Sequence, residues 1–457
     1  MAQHPGRTSG EGFPVLTDAV SGASVSLFVE NLLRGEKPRG EWMCGAELEL
    51  FGYDRARGLE RIDAAQVQSV LAGFAPSSRD LVHEAGTIVE VNDGQMNRLT
   101  VEPGGQVEFS GAPQRRLADV ARELRRYLAR LREVADANRL AFLAVGFDPL
   151  RTIEEQRWFP KPRYEIMRPY LASRGRRAWD MMCRTCTVQA NLDYGPPADL
   201  CKKFLVGNHL APIVTAVFAN SPFEQGRPSG YKSTRAAAWL DTDPDRSGIA
   251  PPALGDDFAP ADYVAYALDV PMIFAQRGGR YIGAVAGLRF REFLESGRAG
   301  LTPVFGDWAD HLTTIFTDAR LKQHVELRSA DACDLEYSLA LQALWKGLLY
   351  DDAALDEALR LAPKLKAAEA VRLRESVARD GLAAKCDGVD VLRLAREMVR
   401  LAVEGLKRVA PDETAYLDVL VERVVKEGVC PADILLRNFE GAWHGSMERV
   451  FEHLRVA

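Results

Sequence analysis

Four separated segments of the chain alternate apolar and polar residues with a period of two. They read CGAELELFGY from Cys44, GGQVEFSG from Gly104, TCTVQANLDY from Thr185 and HVELRSAD from His324. Side chains two residues apart on a strand share a face, so each segment predicts a strand with one apolar face and one polar face. A solvated antiparallel sheet has the same alternation. Here, however, carboxylates and carboxamides dominate the polar positions, whereas an exposed strand face usually mixes Lys, Thr, Arg and Glu.

Carboxylates that share one face of a sheet repel each other unless cations lie between them. If the four segments pair with one another, the side chains of Glu47, Glu49, Glu108 and Glu326 converge on one face. Oxygen ligands in this number favour hard divalent ions, Mg²⁺ or Mn²⁺. Because Mg²⁺ keeps coordination positions for water and phosphate oxygens, the hypothesis is a phosphoryl-transfer site for a nucleoside triphosphate. The sequence has no Walker-type GxxxxGK[ST] motif, so a P-loop is excluded as the phosphate site.

A hairpin precedes the second of these segments. Asn92-Asp93-Gly94 predicts a turn between two strand-like arms, and Gly104-Gly105 permits a bulge or the close approach of a ligand before Glu108. Glu102 lies beside this region and is a further candidate metal ligand. A surface carboxylate next to a proline is an equally good interpretation of Glu102.

Phosphates and substrate carboxylates require basic partners, and arginine suits them best. Arg328 shares the polar strand face with Glu326 and could be an ion-pair partner or a phosphate-binding residue. Arg163, in PKPRYEIMR, and Arg235, in GYKSTR, lie beside predicted loops. For each arginine taken alone, a surface ion pair is the commoner explanation.

The composition is that of a folded, water-soluble protein. The chain has 457 residues, with 58 basic and 64 acidic side chains that give a net charge of -6. This charge does not favour a nucleic-acid or membrane partner. No apolar segment predicts a signal peptide or a membrane span, and the N-terminus is too short for a chloroplast transit peptide, so we expect cytoplasmic residence. The pattern predicts a flexible lead-in over residues 1–20, an α+β catalytic region over 21–330 and a helical region over 331–457.

Several blocks of the sequence together resemble the glutamate–cysteine ligases of the plant and proteobacterial type. The blocks are EPGGQVEFSGAP, RYEIMRPY, DMMCRTCTVQANLDY, ANSPFEQGRPSGY, DTDPDRSG, YALDVPM, DWADHLTTIFTDARLK and WKGLLYDD, which span roughly residues 40–355. The resemblance implies a curved antiparallel sheet of the glutamine synthetase and guanido kinase catalytic type, surrounded by helices and a helical C-terminal layer. It implies ATP and Mg²⁺, with Mn²⁺ as an alternative ion, and the small-molecule substrates L-glutamate and L-cysteine. The implied reaction joins the glutamate γ-carboxylate to the cysteine amine through γ-glutamyl phosphate, the first step of glutathione synthesis.

The resemblance also implies roles for particular residues. Arg328 corresponds to a catalytic residue that steadies the transferred phosphoryl group, and Asn191 is a second candidate for the nucleotide and metal site. Arg163, Arg235 and Gln189 are implied in amino-acid binding. The implied metal ligands are Glu47, Glu49, Glu102, Glu108 and Glu326.

The chain departs from the plant pattern at two positions. Ile273 stands where plant relatives have tyrosine, and Ala121 stands where they have a regulatory cysteine. The thiol switch of the plant enzymes is therefore not implied. A γ-glutamyl ligase with another amine acceptor and a non-catalytic amino-acid or nucleotide sensor remain alternatives, and the assembly is either a monomer or a homodimer.

Overall fold

A ten-stranded antiparallel sheet positions the residues that the sequence singles out. In the computed structural model, which describes residues 15–94, 96–255 and 257–457, eight strands follow one another in the order β15-β16-β8-β1-β6-β5-β4-β3. The strands β2 and β7 pair with the far half of β1. The strands of the chain are β1 Cys44–Asp54, β2 Glu60–Arg61, β3 Leu81–Glu84, β4 Thr87–Asn92, β5 Arg98–Val101, β6 Val107–Ser110, β7 Leu140–Leu143, β8 Thr187–Leu192, β9 Phe223–Glu224, β10 Arg227–Pro228, β11 Ser247–Gly248, β12 Ala275–Arg277, β13 Arg280–Ile282, β14 Phe316–Thr317, β15 Ala319–Leu321, β16 Val325–Asp331, β17 Lys385–Cys386 and β18 Val389–Asp390.

The four alternating segments form four neighbouring strands of this sheet, β16, β8, β1 and β6. Their apolar side chains pair across the sheet, as in Leu48 opposite Phe109 and Ala190 opposite Leu327. These residues are buried, which gives the sheet one apolar face that packs into the core. The predicted hairpin is also present, because β4 and β5 flank the turn at Asn92-Asp93-Gly94. The predicted α+β class with a large antiparallel sheet is confirmed.

Helices cover the apolar face and the ends of the sheet. The long helix α3 begins at Leu117, and two shorter helices, α4 and α5, follow one another before β8. The helices are α1 Val25–Leu33, α2 Ala64–Phe74, α3 Leu117–Asn138, α4 Pro162–Ala172, α5 Ala178–Arg184, α6 Pro197–His209, α7 Ala211–Val217, α8 Thr234–Trp239, α9 Pro260–Asp269, α10 Phe290–Ser296, α11 Phe305–Thr313, α12 Leu335–Leu349, α13 Asp352–Leu361, α14 Ala367–Asp380, α15 Val391–Val409, α16 Asp418–Leu420, α17 Pro431–Glu440 and α18 Met447–Leu454.

The helices after β16 form the predicted C-terminal layer and share one hydrophobic core with the sheet. α12 is buried on all sides because it lies between β8 and α15. Gln342 on this helix donates a hydrogen bond of 2.8 Å from Nε2 to the Gln189 carbonyl oxygen of β8. The division into a lead-in, a catalytic region and a helical region stays a prediction, and residues 1–14 of the lead-in lie outside the described residues. None of the described helices combines the length and apolar character that crossing a membrane requires.

Candidate active site

The polar face of the sheet brings together carboxylates from neighbouring strands. Glu49 of β1 lies directly opposite Glu108 of β6, and Glu47 lies opposite Gln189 of β8. Asn191, two residues further along β8, pairs with Glu326 of β16. The antiparallel register places paired side chains on the same face, so the four predicted strands present their acids and amides together.

Three of these carboxylates occupy surroundings that disfavour their negative charge. Burial and the carboxylates of Glu326 and Glu108 raise the pKa of Glu47 to about 7. Burial and the carboxylates of Glu108 and Glu102 raise the pKa of Glu49 well above its ordinary value. Burial and Glu102 likewise raise the pKa of Glu108. A bound cation would favour the ionised form of all three groups.

Glu326 differs from these three because basic side chains already surround it. Arg320 Nε and Nη2 donate to its two carboxylate oxygens at 2.6 and 2.7 Å, and Arg328 Nη1 donates at 3.0 Å. Lys322 Nζ lies 3.4 Å from the same carboxylate. Burial would raise the pKa of Glu326, but Arg320, Lys322 and Arg328 together hold it well below its ordinary value. Glu326 is therefore an ionised partner of three cations.

The oxygen atoms on this face fit a divalent cation that is completed by other ligands. Asn191 Nδ2 donates to Glu47 Oε1 at 2.8 Å, while the buried Asn191 Oδ1 accepts no hydrogen bond from the described residues. Within the same described ranges, no group of three or more His, Cys, Asp or Glu side chains is arranged to hold a metal by itself. Mg²⁺ is commonly bound by one or two carboxylates with phosphate and water completing its shell, and the paired glutamates match that requirement.

Arg328 lies at a β-bulge in β16, and its side chain contacts two residues of the polar face. The register of β16 on β8 shifts between Leu327 and Ala330, which is the position of a β-bulge. Beyond its bond to Glu326, Arg328 Nη1 donates to Gln189 Oε1 at 2.7 Å. Side chains from three other elements hold the carbonyl groups of the bulge: Arg235 donates to Arg328 O at 2.8 Å, Thr215 to Ser329 O at 3.0 Å and Thr187 to Ala330 O at 2.7 Å. The position of the Arg328 side chain is thus fixed by the fold.

Arg235 forms an ion pair with the buried carboxylate of Asp331, with Nη1 lying 3.9 Å from Oδ1. Asp331 accepts hydrogen bonds from Ser221 Oγ at 2.6 Å, Ser233 Oγ at 2.8 Å and the backbone nitrogen of Asn220 at 2.9 Å. These contacts fix both ends of the loop that leads into α8, where Arg235 occupies the first turn. Burial lowers the pKa of Arg235 even though the carboxylates of Asp331 and Glu49 oppose this effect.

A cavity, which we call the substrate cavity, opens between this face and the helices α4, α5 and α8. Its lining includes Glu49, Glu102, Arg163, Arg235 and Arg328. Arg163 follows Pro162 at the start of α4, and its buried Nε donates no hydrogen bond to any described residue. The Arg163 guanidinium lies 5.7 Å from the ring centre of Tyr164 and 5.8 Å from that of Phe274, so two aromatic rings flank it. Three arginines and two glutamates therefore meet in one cavity.

Glu102 lies on a tight turn, at the position that the two glycines allow. Gly105 adopts a φ of +76° and donates to Glu102 O at 2.9 Å. A Cβ on Gly104 would lie 2.5 Å from the Cys183 carbonyl oxygen. The close approach expected at Gly104-Gly105 is therefore made by the backbone at Cys183.

Several further residues lie at or beside the site without a clear signal in the sequence. These are Glu90, which pairs with Thr100 in the row that continues to Glu108, and Thr187, Arg320, Lys322 and Asp331. Arg320 has a weak signal, because it stands between the apolar residues Ala319 and Leu321 in a strand-like triplet. No local sequence pattern predicts the role of Asp331, because its hydrogen-bond partners lie about 100 residues away in the sequence.

Comparison with known proteins identifies the family. The sequence model of the family described as glutamate–cysteine ligase family 2 matches residues 43–453 of the chain. The chain belongs to this family. It is 40% identical over 430 residues to the chloroplastic glutamate–cysteine ligase of Nicotiana tabacum, which covers 93% of this chain and 82% of the tobacco chain. It is also 40% identical over 428 residues to the chloroplastic enzyme of Arabidopsis thaliana, over 93% and 81% of the two chains.

Solved structures share the fold at low sequence identity. The glutamate–cysteine ligase of Francisella tularensis in complex with AMP has a TM-score of 0.56 and 13% identity, over 90% of this chain and 87% of that chain. A bifunctional glutathione synthetase from Pasteurella multocida has a TM-score of 0.52 and 13% identity, over 94% of this chain and 53% of that chain. These two likenesses concern the fold alone.

The comparisons confirm some predictions and correct one. The predicted family, the ligase class and the ligation of glutamate to cysteine that begins glutathione synthesis are confirmed. The prediction of cytoplasmic residence is wrong, because the curated relatives from Nicotiana tabacum, Brassica juncea and Arabidopsis thaliana are chloroplastic enzymes. It rested on the lack of an apolar targeting segment and on a short N-terminus, but a chloroplast transit peptide is amphipathic and needs no apolar segment. The choice between monomer and homodimer stays a prediction.

Proposed function

We propose that the protein uses ATP and Mg²⁺, or Mn²⁺ in its place, to join the γ-carboxylate of L-glutamate to the amine of L-cysteine through γ-glutamyl phosphate. The observation that carries this mechanism is the meeting of two glutamates, Glu49 and Glu102, with three arginines at the substrate cavity, where burial and neighbouring carboxylates disfavour the negative charge of Glu49. An adenine nucleotide is consistent with the AMP bound to the Francisella enzyme, whose fold this chain shares.

The reaction needs an activated acyl group because a carboxylate is a poor acyl donor. In the first step, a γ-carboxylate oxygen of glutamate bonds to the γ-phosphorus of ATP while the bond from that phosphorus to the β-phosphate oxygen breaks. In the second step, the cysteine amine bonds to the acyl carbon, phosphate leaves and the amine loses a proton. Positioning and electrostatic stabilisation provide most of the catalysis in such a transfer.

The arginines divide the binding of substrate and phosphate between them. Arg163 lies at the wall of the substrate cavity with an Nε that has no partner among the described residues, which suits it to hold a carboxylate of glutamate. Arg235 lines the same wall and also holds the Arg328 carbonyl, so it links the substrate cavity to the bulge. Gln189 fixes the Arg328 guanidinium, and Arg328 then stabilises the charge on the phosphoryl group during transfer.

The carboxylates and Asn191 would hold the metal ions beside the triphosphate. A cation would favour the ionised form of the Glu47, Glu49 and Glu108 carboxyl groups. Glu102 and Glu326 are further ligands in this proposal. When bound, Mg²⁺ neutralises charge on the triphosphate. Because Glu326 is shared with Arg320, Lys322 and Arg328, it also fixes the basic side chains relative to the acids.

ADP release separates this function from its alternatives. We expect ADP release from ATP and glutamate that depends on added cysteine and on Mg²⁺. Turnover only with a different amino acid would favour another γ-glutamyl ligase, and binding of nucleotide and glutamate without turnover would favour a sensor. Glu49→Gln should abolish the cysteine-dependent release, whereas Glu295→Gln, at an exposed position on α10, should leave it unchanged.

A further inference from the structure

A second cavity, which we call the adjoining cavity, lies against the substrate cavity. The two cavities share four lining residues, Arg235, Trp239, Phe316 and Arg328. The far side of the adjoining cavity is formed by Asp318, by Ser329 of the bulge and by Arg374 of α14. Arg374 therefore comes from the C-terminal helical layer, outside the strands and helices that hold the predicted site residues.

The Arg374 guanidinium is held in place with most of its hydrogen-bonding capacity free. Its Nε lies 3.4 Å from Asp318 Oδ2, which is its one ion pair within the described chain, and no described residue accepts a hydrogen bond from it. A Cβ added to Gly248 would lie 2.4 Å from Arg374 Nη1, so the guanidinium rests against a residue that must be glycine at its φ of +91°. The side chain is 17% exposed, which leaves it open to a ligand in the cavity and little exposed to bulk water.

Backbone hydrogen bonds connect the two residues that contact Arg374, Gly248 and Asp318, to Arg328 on the polar face of the sheet. Asp318 N donates to Gly248 O at 2.7 Å, and Arg328 N donates to Asp318 O at 2.9 Å. The start of α8 is fixed to α14 as well, because Ser233 N donates to the Ala378 carbonyl at 3.0 Å. Arg374 and Arg328 are thus connected through Gly248 and Asp318, and both line the adjoining cavity.

The charges of the adjoining cavity suit an amino acid with a free α-carboxylate. Three arginines, Arg235, Arg328 and Arg374, and one carboxylate, Asp318, line it. Arg328 is partnered by Glu326 and Arg235 by backbone carbonyls, which leaves Arg374 as the arginine with the fewest protein contacts of the three. The buried Trp239 Nε1, on the shared wall, also lacks an acceptor among the described residues.

We propose that the adjoining cavity binds the acceptor amino acid and that Arg374 binds its α-carboxylate. The inference rests on the proposed function, in which the acceptor amine must reach an acyl phosphate located beside Arg328 and Arg235. An acceptor held by its carboxylate at Arg374 would direct its amine toward that shared wall. The apolar side chains of Pro212, Phe316 and Val377 would surround the remainder of the acceptor. Arg374 would thus determine specificity for an amino acid over a simple amine.

The test compares cysteine with cysteamine, which carries the same thiol and amine but no carboxylate. With Arg374→Gln we expect the KM for cysteine to rise about 10- to 100-fold, which is the usual effect of losing a charged hydrogen bond. The KM values for glutamate and ATP should stay near those of the unaltered protein. Turnover of cysteamine, which we expect to be weak in the unaltered protein, should not change, and Arg374→Lys should recover part of the cysteine affinity.

The matched control is Arg372→Gln. Arg372 lies on the same helix, is half exposed and pairs with Asp387, so its loss should change none of these constants. An unchanged cysteine KM in Arg374→Gln would overturn the assignment, as would an equal loss with cysteamine or an equal rise in the glutamate KM. If the unaltered protein released no ADP with glutamate and cysteine, the proposed function would fail and this inference with it.

Discussion

Glu49 and Glu108 lie directly opposite each other on neighbouring strands, with their carboxylates on the same face of the sheet. Each has one oxygen fixed by the protein: Thr187 N donates to Glu49 Oε2 at 2.9 Å, and Thr100 Oγ1 donates to Glu108 Oε2 at 2.6 Å. Like charges directly opposite one another destabilise a sheet. This pair is therefore explained better by a function that supplies a cation than by a contribution to folding.

The carboxylate cluster should give the metal-free protein an unusual dependence of stability on pH. Burial first, and then Glu326 and Glu108, raise the pKa of Glu47 from 4.5 to about 7 in the folded state. The folded state thus binds a proton more tightly than the unfolded state, so the contribution of Glu47 is fully present below about pH 4.5 and is lost as the pH rises through about 7.

Urea denaturation of the metal-free protein and of Glu47→Gln between pH 4.5 and 8 would measure this effect. The free energy of unfolding of the unaltered protein, relative to the variant, should fall across that range, at about 1.4 kcal/mol for each unit of pKa shift. Added Mg²⁺ should restore stability at pH 8 in the unaltered protein more than in the variant. A difference that is constant or grows with pH would contradict the assignment, and Glu295→Gln serves as the control.

Removal of either member of the facing pair should affect activity and stability in opposite directions. Glu49→Gln or Glu108→Gln should lower kcat by two or more orders of magnitude, because the metal and triphosphate lose a ligand. Without Mg²⁺ the same variants should be at least as stable as the unaltered protein, because the repulsion is relieved. Steady-state ADP release and thermal denaturation would measure the two effects. Near-normal kcat at saturating Mg²⁺ would exclude the residue as a ligand.

The strands and their polar face were predictable because alternation in a strand is a local property. The positions of Glu47, Glu49 and Glu108 follow from counting by two, and the structure places them together as expected. Counting by two fails in β16, because the bulge adds a residue to the strand. Strict alternation would place the Asp331 side chain on the apolar face with Val325 and Leu327. In the structure Ala330 takes that apolar position, opposite Val188. The polar position of Arg320 between two apolar residues has a local signal, but a three-residue strand carries too few positions for its pairing with Glu326 to be recognised.

Glu326 should contribute to folding as well as to catalysis. Replacing it by Gln leaves Arg320, Lys322 and Arg328 close together without their shared carboxylate. Loss of one partner from a buried ion pair typically costs about 3–5 kcal/mol. Urea denaturation of Glu326→Gln should show a loss of this size, and the double variant Glu326→Gln/Arg320→Met should recover part of it. A single variant as stable as the unaltered protein would show that solvent compensates these charges.

Asp331 should act on glutamate binding through Arg235. Asp331→Asn keeps the size of the side chain but presents an amide to donors from Ser221 and Ser233. We expect the glutamate KM to rise about tenfold and the free energy of unfolding to fall by about 1–3 kcal/mol. Asp387→Asn, which removes an exposed partner of Arg372, is the control for the substitution itself. Loss of stability without any change in KM would mean that Asp331 does not position Arg235.

Arg328 should stabilise the transition state more than the bound substrates. Its guanidinium is held between Gln189 and Glu326, and the carbonyl groups of its bulge are held by three other side chains, so it is positioned before substrate arrives. Removal of one such preorganised donor typically lowers kcat by about 10²- to 10³-fold. Arg328→Ala should therefore lower kcat by that factor with little change in the KM for glutamate. Arg328→Lys should retain more activity than Arg328→Ala, because lysine keeps the positive charge although it lacks the paired donors of the planar guanidinium. An unchanged kcat with a raised KM would assign Arg328 to ground-state binding, and Arg298→Ala, at an exposed position, is the control.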